Sequence, residues 1–109
     1  MVKILSDQNF KQEVMSNAGV VLLDFWAPWC APCRIQSPIV DELSRLFADQ
    51  KNLTVGKMNV DENPAVAQEH QIFSIPTIKI FKSGEIVEEL IGLQTKDSLV
   101  RRLRAHLGL

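Results

Sequence analysis

Apolar and polar positions along this chain switch between a period of two and a period near 3.6, and the switches fall at turn-forming residues. Residues 2–5 form a short apolar run and read as a strand. Ser6 or Asp7 can cap a following helix, with Phe10, Val14 and Met15 as its apolar stripe and Asn17-Ala18-Gly19 as its end. Residues 20–26 are apolar except at Asp24, the pattern of a strand covered on both faces. That run stops at Ala27-Pro28, and Trp29-Cys30-Ala31-Pro32-Cys33 follows at once. Beyond it Ile35, Ile39, Leu43, Leu46 and Phe47 recur at helical spacing, to about residue 49. Pro38 lies inside this helix, removes one backbone donor and predicts a kink one turn after the cysteines.

The second half is built the same way. Residues 53–60 read as a strand, with Leu53, Val55 and Lys57 on one face and Gly56 and Met58 on the other. Asn63-Pro64 is a cap followed by proline at the first helical position, opening a short helix to about His70. Residues 77–82 and 85–91 are two strands joined by the tight turn Ser83-Gly84. Gly92-Leu93-Gln94 is a loop, and Thr95 or Asp97 opens a last helix with Leu99, Leu103 and Leu107 inward. Arg101, Arg102 and Arg104 are expected to face water there, and His70 and His106 to be surface residues.

The predicted order is βαβαβαββα, which requires parallel pairings early and an antiparallel hairpin late. The expected fold class is therefore α/β, a mixed sheet with helices on both faces. At 109 residues the chain makes one domain, expected over 1–109. A net charge of −1 gives no basic field for nucleic acid or membrane surface. The N-terminal residues lack an apolar stretch of about 7–15 residues, so no secretory signal is read there and the expected address is the cytoplasm. No apolar run is long enough to span a membrane.

The chemistry is concentrated in the two cysteines. A bridge from Cys30 to Cys33 closes a very small loop, stabilising by roughly 2 kcal/mol against about 3 for a fifteen-residue loop. A pair placed so close is a poor staple and a good redox couple. Both sulfurs lie between a buried strand and a helix start, where unpaired N–H groups and the helix dipole favour a thiolate. Zinc is the structural alternative, but it wants four ligands, and the spacing of His70 and His106 from Cys33 fits no common zinc module. Asp24 is either a buried carboxylate with a proton-transfer task or a strand-end residue that reaches water. Lys57 either turns its stem inward toward Asp24 or snorkels to the surface. No glycine-rich dinucleotide fingerprint is present, so no cofactor is expected and reducing equivalents must come from outside.

Trp29-Cys30-Ala31-Pro32-Cys33 resembles the active site of the thioredoxin family, and the similarity runs along essentially the whole chain. It takes in Asp24-Phe25-Trp26-Ala27, Pro38, Asp61-Glu62-Asn63-Pro64, Ser74-Ile75-Pro76-Thr77 and Phe81-Lys82-Ser83-Gly84. The resemblance implies a protein-disulfide reductase with Cys30 as attacking thiolate and Cys33 as resolving thiol. It implies a cis peptide at Ile75-Pro76 against the cysteines, and Asp24 behind Cys33 with Lys57 near it. Trp29, Ala31, Pro32, Ile75, Pro76, Gly92 and Leu93 are implied as the surface that holds substrate. The implied partners are a thioredoxin reductase as electron donor and disulfide-containing proteins as substrates, and a monomer is expected. Ala31 stands where the family usually has glycine, Gln36-Ser37 where it has a more apolar pair, and Leu93 where a small residue is common. A binding module serving as a subunit of a larger enzyme remains the other functional class that this fold allows.

Overall fold

The computed structural model describes residues 1–109. Its elements run β1 (Lys3–Ile4), a π-helical turn (Lys11–Met15), β2 (Val20–Trp26), α1 (Ala31–Leu46), β3 (Leu53–Asn59), α2 (Pro64–Glu69), β4 (Thr77–Lys82), β5 (Glu85–Ile91) and α3 (Lys96–Leu107). They form one five-stranded sheet in the order β1-β3-β2-β4-β5. β1 and β2 both pair parallel with β3, and β4 pairs antiparallel with β2 and with β5. The expected mixed sheet is thus the one observed. β2 lies at its centre because its run of apolar side chains can be covered on both faces.

Alternation along β2 divides the core in two. Val20 and Leu22 pack with Val40, Leu43 and Phe47 of the α1 segment and with Leu99 and Leu103 of α3. Val21, Leu23 and Phe25 face the other way, onto Phe10, Val14, Met58, Val66 and Phe81. Asp24 shares the parity of Val20 and Leu22, so it points to the side that α1 covers. The β4–β5 turn has Ser83 and Gly84 both at positive φ, and a Cβ on Gly84 would come within 2.3 Å of the Met15 carbonyl oxygen. That approach explains why the turn ends in glycine.

Several expectations about local structure need correction. Met15 is exposed, because the segment it ends is a single π-helical turn that buries only Val14. Ile35 and Leu46 are exposed, and the inward stripe of α1 is Cys33, Gln36, Val40, Leu43 and Ser44, continued by Phe47. The helix ends at Leu46, a few residues earlier than expected, and carries Pro38 inside it. Arg102 and His106 are half-buried rather than free in solvent and share Glu88 of β5, one on each carboxylate oxygen. His70 packs edge-on against Phe10 and Phe81, with ring centroids 5.0 and 6.0 Å away. Burial there, helped by the nearby Lys79 ammonium, pushes the His70 pKa down.

Capping is also distributed differently. Ser6 holds the first turn, its hydroxyl accepting from the Asn9 N–H at 3.3 Å. Asp7 instead reaches across the chain and accepts from the Ala65 and Val66 N–H groups of α2, at 3.2 and 2.9 Å. Asn63 occupies the cap position of α2 without capping it, and its side-chain oxygen accepts from the Asp7 N–H at 2.9 Å. Two segments far apart in sequence are therefore tied by one reciprocal exchange. Asp7→Ala should cost about 1 kcal/mol in a urea melt, the usual scale for a lost helix cap, with an unchanged denaturant slope. An effect below about 0.3 kcal/mol would show that the exchange is not a net stabiliser.

Candidate active site

β2 delivers the chain to the C-terminal edge of the sheet, where Ala27 is buried and Pro28 breaks the strand. Cys30 then takes the cap position of α1, with φ −90° and ψ 110°, and Pro32 sits in the first turn where it sacrifices no hydrogen bond. The capping atom is sulfur. The Cys33 N–H donates to Cys30 Sγ at 3.2 Å, the bond that a serine or aspartate cap would accept. The two cysteines are joined in a disulfide, with Cα atoms 5.2 Å apart. Either sulfur is nearly buried, and the Ile75 carbonyl oxygen lies 3.7 Å from Cys30 Sγ.

The residues expected to hold substrate surround this edge, with differing exposure. Trp29 is 67% exposed and is fixed by a bond from its indole N–H to Asp61 Oδ2 at 2.9 Å. Ala31, Pro32 and Leu93 are exposed, Ile75 and Gly92 half-buried, and Pro76 is buried. The Ile75-Pro76 peptide is cis. Pro76 therefore contributes through its backbone, its carbonyl accepting from the Gly92 N–H at 2.8 Å. Gly92 has φ +89°, a left-handed conformation that glycine adopts without strain.

Beneath the disulfide helix lies Asp24, 0% exposed, with no hydrogen-bond partner for either carboxylate oxygen. Burial without partners disfavours the charged form. Its pKa rises from 3.8 to about 7, opposed by the Lys57 charge and reinforced by that of Asp41. Asp24 and Lys57 are register partners across β2 and β3. The expected Lys57–Asp24 pair nevertheless does not form. The ammonium bonds instead to the Ser37 hydroxyl and, at 2.8 Å, to Asp41 Oδ1, both on α1 and nearer to solvent. Pairing with the half-exposed Asp41 carboxylate costs less desolvation than pairing with the fully buried Asp24.

Two site contacts escaped the sequence reading. The Trp29–Asp61 bond links residues 32 apart in sequence, and spacing gave no sign of it. Gln36 is 0% exposed and pairs with the backbone of Gln94 in both directions. The two histidines weighed as soft ligands are engaged elsewhere, His70 with aromatic rings and His106 with Glu88.

Comparison with known proteins agrees with this geometry. The family model described as Thioredoxin matches residues 1–105. Thioredoxin 1 of Synechococcus elongatus is 48% identical over 103 residues, covering 94% of this chain and 94% of that protein. Thioredoxin of Pyropia yezoensis is 46% identical over 107 residues, covering 98% of each. Thioredoxin of Rickettsia prowazekii is 48% identical over 100 residues, covering 92% of this chain and 93% of that one. With its cysteine pair at disulfide distance on a helix start, the chain belongs to the thioredoxin family and is a thiol–disulfide oxidoreductase.

Proposed function

We propose that the protein reduces protein disulfides with Cys30 as nucleophile and Cys33 as resolving thiol. The observation that carries this assignment is the N-cap geometry: a Cys30 thiolate can keep the Cys33 N–H as its donor, whereas Cys33 lies one turn inside the helix. In the reduced protein Cys30 Sγ attacks one sulfur of the substrate disulfide. A mixed disulfide forms, and the first substrate thiolate leaves and takes up a proton. Cys33 then gives up its proton and attacks Cys30 Sγ, which closes the internal disulfide and releases the second thiolate. Two electrons pass to the substrate.

Asp24 is the proposed acceptor of the Cys33 proton. A pKa of about 7 leaves it divided between acid and base at neutral pH, the condition in which a proton acceptor works best. Lys57 acts indirectly, through its charge near Asp24, while Ser37 and Asp41 hold it. Trp29, Ala31, Pro32, Ile75, Gly92 and Leu93 receive the substrate chain, Pro76 shapes the floor, and the Ile75 backbone offers a strand-like hydrogen bond. Reducing equivalents come from a thioredoxin reductase, in keeping with the relatives' family. A monomeric, single-domain electron carrier over 1–109, acting in the cytoplasm, completes the proposal. No helix is long and apolar enough to cross a membrane.

Mass-mapped alkylation of the reduced protein at neutral pH tests the division of labour. Cys30 should be modified quickly and Cys33 scarcely at all, and Cys33→Ser should trap covalent mixed disulfides with target proteins. Faster labelling of Cys33 would reverse the assignment.

Asp24 links stability to pH. Its folded pKa lies above the unfolded value, so the protein is relatively favoured below about pH 4, and this advantage is lost as pH rises toward 7. At neutral pH the carboxylate is therefore a liability, at most about 4 kcal/mol for a three-unit shift. Asp24→Asn should stabilise the oxidised protein at pH 8, and the gain should shrink to nothing by about pH 4. The same variant should slow resolution of the mixed disulfide in single-turnover insulin reduction. Denaturant melts across that range that show no pH-dependent gain, with an unchanged resolution rate, would make Asp24 an ordinary structural residue.

A further inference from the structure

Gln36 occupies a place that its chemistry does not favour. It lies on the inward stripe of α1, one turn after Cys33, with no exposed surface. A buried primary amide is costly unless both of its ends are satisfied. Here its Nε2 donates to the Gln94 carbonyl at 3.1 Å, and its Oε1 accepts from the Gln94 N–H at 2.7 Å. The amide thus pairs with a loop backbone as one strand residue pairs with another. The loop is tied at two further points. The Gly92 N–H donates to the Pro76 carbonyl at 2.8 Å, and the Gln94 side chain donates to the Gly92 carbonyl at 3.2 Å. Leu93, between these ties, stays 47% exposed.

The arrangement fixes an exposed apolar side chain relative to the sulfurs by way of the helix that carries them. We propose that Gln36 is a positioning residue that sets protein-substrate recognition, by clamping the Gly92–Gln94 loop to the redox helix so that Leu93 is held ready for the substrate chain. This rests on the reading above that Leu93 receives substrate. An apolar side chain at position 36 would leave the part-buried Gln94 N–H and carbonyl without these partners, and the loop would have to shift toward water to satisfy them. Holding a contact surface in its bound form lowers the ordering cost of association, so loss of the clamp falls on substrate binding rather than on thiol exchange.

The test compares Gln36→Met, of similar length, with Leu93→Asp in the full-length protein, using insulin disulfide reduction and amide hydrogen exchange. In the unmodified protein the Gln94 amide should exchange at least about tenfold more slowly than an open loop amide. An unprotected Gln94 amide overturns the clamp without any variant. In Gln36→Met that protection should disappear while the β2 amides keep theirs, and KM for insulin should rise about fivefold with kcat within about twofold. A normal KM in Gln36→Met beside a raised KM in Leu93→Asp overturns the clamp and leaves Leu93 as a substrate contact. A normal KM in Leu93→Asp itself removes the loop from recognition and takes the clamp's role with it.

Discussion

The start of α1 is set by the 3.2 Å hydrogen bond from the Cys33 N–H to Cys30 sulfur, and the rest of the site is arranged about that bond. A central strand covered on both faces must leave the sheet abruptly, and Pro28 makes the break. The chain has only a few residues in which to turn before the apolar stripe of α1 must meet the sheet again. Placing sulfur at the cap lets the helix begin there without an orphan donor at Cys33. It also puts the Cys30 sulfur where the helix dipole and a backbone N–H favour negative charge. The cis Ile75-Pro76 segment lies against it, and the Gly92 loop hangs from Pro76. Fold and chemistry share one structural event.

Asp24 is the opposing element. It occupies a position that Val20 and Leu22 predict to be apolar, and no side chain or backbone group bonds to its oxygens. Its natural neutraliser, Lys57, is directly across the strand pair yet is drawn outward by Ser37 and Asp41. The carboxyl is therefore left to the effect of burial. The proposed role as proton acceptor fits that imbalance, because a direct salt bridge would hold Asp24 ionised and make it a poor base. The local cost of that burial falls between two hydrophobic layers that hold the strand from both faces.

Much of this was legible in the sequence, for identifiable reasons. The run at 20–26, the tight turn at Ser83-Gly84 and the Leu99/Leu103 stripe are signals in which pattern and packing agree, and each appears where expected. The cysteine pair was legible because its spacing and its place after a buried strand have a direct chemical meaning. The inward face of α1 was not. Ile35 and Leu46 imitate a core stripe, while the true one contains Ser44, whose hydroxyl donates to the Asp41 carbonyl one turn back, and Gln36, whose amide is satisfied by a backbone partner that no local spacing reveals. The same limit hid Asp7 as the cap of α2 and Asp41 as the partner of Lys57. Each depends on a contact between separate elements, and hydrophobic periodicity carries no information about those.

Whether this cysteine pair reduces or donates disulfides is read most directly by a redox titration against glutathione. Thioredoxin itself has a potential of about −270 mV, a family reference value rather than one derived from this geometry. A pair that works as a reductant should have a midpoint within about 30 mV of that figure, so that the disulfide form predominates in a buffer poised near −220 mV. A midpoint above about −200 mV, in the range of disulfide isomerases and oxidases, would contradict it, since the pair would then donate disulfides rather than reduce them.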